Sequence, residues 1–140
     1  MTIKQVPAGM GLKKPIIGWK KTYRSERGEL RQVLVMLQIM GQYNVNAFDG
    51  IDRTNKRRTS KALVLAQFYL NRSLGINYAY SYASRYIGDM CYKPSYSSHD
   101  HSFVYRTGEI VTPKGTFELS SEACAPGIHY FADIDDAINY

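Results

Sequence analysis

Apolar runs alternate with polar, glycine-containing and proline-containing stretches along the whole chain. Residues 1–15 hold Pro7, Gly9, Gly11 and Pro15 with Lys13 and Lys14 between them. That composition predicts an extended arm, because proline and glycine punctuate regular structure. Ile16 to Tyr23 predicts a first strand with Trp19 as its anchor, and Ser25 to Gly28 a turn. Gln32 to Met40 carries Val33, Leu34, Val35, Met36, Leu37 and Ile39. So continuous a run of β-formers reads as a buried strand, with a helix left open by periodicity alone. Residues 41–60 are polar and loop-like, include Asp49-Gly50 and end in the basic stretch Arg53 to Ser60. Lys61 to Leu70 predicts a further strand, closed by a turn over Asn71 to Gly75.

Two periods compete between Asn77 and Ile87. Tyr78, Tyr80 and Tyr82 alternate as in a strand, whereas Tyr78, Tyr82 and Tyr86 repeat every fourth residue. Ala79, Ala83 and Arg85 favour a short helix. Residues 88–102 read as polar loop, Phe103 to Val111 as a strand and Thr116 to Leu119 as a short strand. Near the C-terminus, Pro126-Gly127 is a turn pair. Ile128, Tyr130 and Phe131 form a short apolar strand. Asp133 is a good helix N-cap, and Ile134, Ala137 and Ile138 then share one helical face. The expected fold is a single α+β domain over residues 16–140, preceded by the extended arm of residues 1–15. It comprises a mostly antiparallel sheet with one or two short helices.

At 140 residues the chain fits one domain and can bury a core without staples. A net charge of +6 favours acidic partners: nucleic acid, an acidic protein surface or anionic lipid. Two cysteines, Cys91 and Cys124, are too few for a disulfide framework, so free thiols and an intracellular setting are expected. Apolar runs stay short of a membrane-spanning helix, and the first residues lack the apolar core of a signal peptide. The twelve tyrosines supply amphipathic area of the kind interfaces use.

Three sets of residues are candidates for chemistry. Arg53, Lys56, Arg57, Arg58 and Lys61 place five positive charges close together, where a loop would present them to phosphates or an acidic partner. Aromatic residues do not interleave with them, so base stacking is not supported. Tyr78, Tyr82 and Tyr86 are a candidate partner surface. His99, His101, Cys91, Cys124 and His129 have no recognised zinc spacing, so no metal is expected. Cys124 and His129 have no identifiable third residue to complete a catalytic arrangement. The expected role of His129 is structural.

Several landmarks also occur in a fixed order: Gly18-Trp19-Lys20-Lys21, Val33 to Leu37, Lys56-Arg57-Arg58, Phe103 to Val111 with Gly108-Glu109-Ile110, and Cys124 to Phe131. This order resembles a small domain of unknown function found beside pentapeptide repeats in large DNA virus proteins, with relatives in phage. The resemblance covers roughly residues 16 to 140 and implies a viral or phage setting and a compact mixed fold. The stretch from Gly127 to Tyr140 is also similar to the segment with which ADP-ribosyltransferases line their NAD pocket. That similarity implies Tyr130 and Tyr140 as the flanks of a nicotinamide site, with His129 as an extra residue before the first of them.

The expectation is therefore a non-enzymatic interaction module, a small structural or assembly protein of minor-capsid type in a large DNA virus. It would work in the virion or the host cell interior, bind neighbouring protein chains, need no cofactor and insert in no membrane. The alternatives are an ADP-ribosyltransferase-like NAD-binding domain and a basic nucleic-acid-binding protein acting through residues 53–61.

Overall fold

A computed structural model describes residues 3–5, 15–44, 56–71, 85–98, 103–113 and 127–140. Its centre is a long hairpin of β2 (Ile17–Glu26) and β3 (Glu29–Asn44). The two strands pair antiparallel from Ile17↔Gln38 to Glu26↔Glu29, which leaves a two-residue turn. Arg27 and Gly28 both have positive φ, 49° and 80°. That is the type I′ geometry whose twist matches the flanking strands. β3 pairs on its other edge with β4 (Arg57–Leu70), and its far end pairs with β1 (Ile3–Gln5), inside the arm.

β4 holds the rest of the sheet together. Along its free edge it pairs in turn with β5 (Ile87–Met90), β8 (Ile110–Val111) and β9 (Ile128–Tyr130). The outer edge of β2 carries β6 (Ser95–Tyr96), which pairs with β7 (Val104–Tyr105). β9 also reaches β2. The Trp19 amide donates to the Phe131 carbonyl and the Phe131 amide to the Trp19 carbonyl, each at 2.8 Å. Strands β2, β3, β4 and β9 thus form a closed ring, which spares β2 and β4 open edges there.

Strand alternation sorts the core. Val35, Leu37 and Ile39 of β3 gather with Ala62, Val64, Tyr105, Ile128 and Tyr130 on one face. Leu34 points the other way and packs with Phe131, Ala137 and Ile138, with Trp19 against them. The second cluster exists because α1 (Ile134–Asn139) lies over it. The Asp133 carboxylate caps that helix, accepting from the amides of Asp135 at 2.8 Å and Asp136 at 3.2 Å.

The first core face also carries a polar chain. The buried Thr22 hydroxyl donates to Ser95 Oγ at 2.7 Å, and Ser95 Oγ donates to Gln67 Oε1 at 2.6 Å. Gln67 Nε2 then donates to the Tyr105 carbonyl and to Thr107 Oγ1. One donor feeds the next, so buried polar atoms from β2, β4, β6 and β7 satisfy each other. At the turn end, Glu26 accepts from Tyr69 and Arg24, and the Arg31 guanidinium sits 4.3 Å from the Tyr69 ring centre. The Tyr69 hydroxyl and then Arg24 hold the Glu26 carboxyl below the usual carboxylate range.

These observations correct the α+β expectation. Among the described residues there are nine strands and one six-residue helix, a largely all-β fold. The end of the predicted Asn77–Ile87 helix that is described is a single 3₁₀ turn, Arg85–Tyr86, running into β5. Tyr78 and Tyr82 lie outside the described residues, as does the Thr116–Leu119 strand. The basic stretch predicted as loop is instead strand from Arg57 onward. There β9 and β3 flank it, with Arg57↔Tyr130 and Tyr43↔Thr59 in register, and tertiary pairing overrides the weak β-propensity of charged residues. The predicted Phe103–Val111 strand is broken into β7 and β8 by a turn in which Gly108 has φ 87°. The predicted 88–102 loop contains β6.

Candidate functional site

The ring closes at one point on β2 and β6 joins it at another, and among the described residues no strand pairs with β2 on that edge in the interval between them. Trp19 is bridged by Phe131, and Tyr23 pairs with Tyr96. The intervening Lys20 and Lys21 form one wall of a cleft of about 290 Å³. Lys56, at the entry to β4, lines it too, with His129 and Phe131 from the β9 segment and Tyr140 after α1.

Three amines are positioned in this cleft. Lys20 Nζ donates to the His129 carbonyl at 3.2 Å, and Lys21 Nζ to the Ile138 carbonyl at 3.2 Å. Lys56 Nζ donates to the Tyr140 hydroxyl at 2.9 Å and lies 5.0 Å from the centre of that ring. The Tyr140 ring in turn rests on Phe131, with centroids 5.1 Å apart. No acidic side chain is among the described residues lining the cleft. Burial, and then the neighbouring Lys56 charge, push the Lys20 amine down to about 8. Both causes penalise the cation, and no anion among the described residues lining the cleft offsets them.

A second, more open groove of about 750 Å³ adjoins the cleft, and Tyr23 and Ser98 line both. Tyr96 stands directly across the strands from Tyr23, and Leu30 is 58% exposed beyond them. Arg24 also borders this groove, but its guanidinium is engaged at 2.7 Å by Glu26 and at 2.7 Å by the Pro94 carbonyl.

The predicted basic patch is dispersed. Arg53 lies outside the described residues. Lys56 enters the cleft, Arg58 is wholly buried, and Arg57 and Lys61 are half-buried along β4. A strand paired on both edges cannot present consecutive residues to one partner, because successive side chains point to opposite faces. Of the tyrosine surface, Tyr86 is half-buried, with the Arg85 guanidinium 5.1 Å from its ring centre.

The two tyrosines of the nicotinamide comparison separate. Tyr130 is 1% exposed in the first core cluster, and burial pushes its hydroxyl up to about 12. Tyr140 is 49% exposed at the cleft. Side chains alternate along β9, so Tyr130 faces away from its neighbours His129 and Phe131. His129 and Phe131 line the cleft, and Tyr130 faces the core. Cys91 is a buried free thiol, and Cys124, His99 and His101 lie outside the described residues. Among the described residues no group of three His, Cys, Asp or Glu side chains could hold a metal, and no helix is long and apolar enough to cross a membrane.

Sequence reasoning missed Lys20, Lys21 and Tyr23 as lining residues, whereas Tyr96 belonged to the tyrosine cluster that the sequence offered as an interaction surface. The available signal was the pair of lysines directly after Trp19 in a predicted strand, one of which must face the core side. No curated protein and no solved structure matches the chain. Residues 7–137, nearly its whole length, match the family of unknown function DUF5758, and the chain belongs to that family.

Proposed function

We propose that this domain is a non-enzymatic interaction module that holds an anionic group of its partner in the lysine cleft. One observation carries the reading. Lys20, Lys21 and Lys56 line one cleft in which no acidic side chain is among the described lining residues, and burial, then the Lys56 charge, lowers the Lys20 amine. An arriving anion would offset the penalty on Lys20 and accept charge-assisted hydrogen bonds from the cleft amines. The net charge of +6 favours the approach of such a partner. The resemblance of residues 16–140 to a domain of large DNA virus proteins supports a setting in a virus particle, as a small structural or assembly component.

The test is thermal unfolding of the chain at low ionic strength with inorganic phosphate or pyrophosphate added. A ligand at about 100 times its dissociation constant adds about 2.7 kcal/mol, enough to raise the midpoint by several degrees. Lys20→Met and Lys56→Met should each reduce the shift. An unchanged midpoint with both anions in the folded parent chain overturns the reading.

A further inference from the structure

We infer that the cleft and its adjoining groove together form a site for a nucleotide unit, with the phosphate among Lys20, Lys21 and Lys56 and the base against Tyr23 and Tyr96. This rests on the anion reading of the cleft and adds the chemistry of the rest of the ligand. The two spaces adjoin, since Tyr23 and Ser98 border both. Their characters differ. The amines sit at one end, whereas at the other Arg24 is engaged by Glu26 and the other described lining residues are aromatic, aliphatic and hydroxyl-bearing. The matching ligand has one anionic end and a flat body that combines apolar faces with polar edges. A nucleotide has both parts in that order.

Strand geometry sets the spacing. Lys21 and Tyr23 are two residues apart on β2 and therefore on the same face, separated by roughly 6–7 Å at the strand rise. That is the scale of the separation between phosphate and base within one nucleotide. Tyr96, opposite Tyr23 in register, widens the aromatic wall on that face. Ser25 and Ser98 supply hydroxyls to base edges or sugar. A positive groove with aromatic side chains beside it is the arrangement that holds unpaired nucleotides through backbone charge and base stacking. An acidic peptide would use the lysines and leave the tyrosine wall without a stacking partner.

The experiment compares inorganic phosphate, adenosine monophosphate and a short single-stranded oligonucleotide by calorimetric titration of the whole chain at low salt. Adenosine monophosphate should bind roughly tenfold more tightly than phosphate, the increment expected of one stacked base. Tyr23→Leu should erase that increment and keep phosphate binding, and Tyr96→Leu should reduce it. Lys20→Met should weaken both ligands. An oligonucleotide that binds more tightly than the mononucleotide, with affinity falling steeply in salt, identifies the unit as part of a strand. Equal affinity identifies a free nucleotide. If phosphate binds and adenosine monophosphate binds no better, or its increment survives both tyrosine variants, the nucleotide inference fails and the anion cleft stands. If neither ligand binds the folded chain, both fail together.

Discussion

Lys20 occupies a core-side position of β2, between Gly18 and Thr22, and its ionisation reports on the cleft. Its amine has a value of about 8 in the folded chain against an ordinary value near 10.5. Between those limits the folded state binds fewer protons than the unfolded one. Stability from this group therefore rises with pH across the window, and below about pH 8 its full penalty persists. Lys20→Met should accordingly show its greatest stability relative to the parent near pH 7, with the difference shrinking as pH rises toward 10. Urea midpoints at three pH values would measure it, and a difference that stays constant would show that Lys20 ionises normally. Gly18 sets a second constraint on the same strand. A Cβ there would lie 2.5 Å from Tyr130 Cδ2 and 2.9 Å from Ile39 Cδ1. Both neighbours are packed, so Gly18→Ala should cost about 1–3 kcal/mol by overpacking, seen as a lower melting midpoint. The sequence made Gly18, Trp19, Lys20 and Lys21 visible as a landmark. It did not show that both lysines border a cleft, because that depends on where Phe131 bridges β2, more than a hundred residues along the chain.

Single elements were legible where their signals are local. The C-terminal segment was read as turn, strand, cap and helix from adjacent residues, and β9, Asp133 and α1 occupy those positions. The turn at Arg27–Gly28 was legible for the same reason. β4 was legible from Lys61 to Leu70 but not at its start, because Arg57, Arg58, Thr59 and Ser60 have no apolar alternation. They become strand only when β9 and β3 lie alongside. α1 is short, with only six residues, so its persistence depends on its cap and on burial of Ala137 and Ile138. Asp133→Ala should destabilise it by about 1 kcal/mol. Because α1 packs on Trp19, the sole tryptophan, fraying should shift its fluorescence to longer wavelength before global unfolding. A spectrum that changes only at the global transition would show that packing alone holds the helix. Lys21 donates to the Ile138 carbonyl, so the same variant should loosen one wall of the cleft and weaken phosphate binding.

At the scale of the whole molecule, a ring of strands encloses a mixed interior, apolar through Val35, Leu37, Val64 and Tyr130 and polar through Thr22, Ser95 and Gln67. The polar chain helps set how β6 and β7 sit against β2 and β4, beside the cleft that Lys20 and Lys21 line. Buried hydroxyl and amide groups are costly when one partner is removed, about 1–3 kcal/mol for each group left unsatisfied. Gln67→Leu keeps the volume but deprives Ser95 Oγ of its acceptor and the Tyr105 carbonyl of a donor. It should therefore lower the urea midpoint by more than a surface change would, with little change in slope. Adding Ser95→Ala to Gln67→Leu removes the stranded hydroxyl. The double variant should then be less destabilised than the sum of the single changes, because the two groups are coupled through one hydrogen bond. Strict additivity would mean that the two residues contribute separately and that the chain does not lock β6 to β4. Coupling of about 1 kcal/mol or more would make this interior the feature that positions Tyr96 across from Tyr23, and with it the groove beside the lysines.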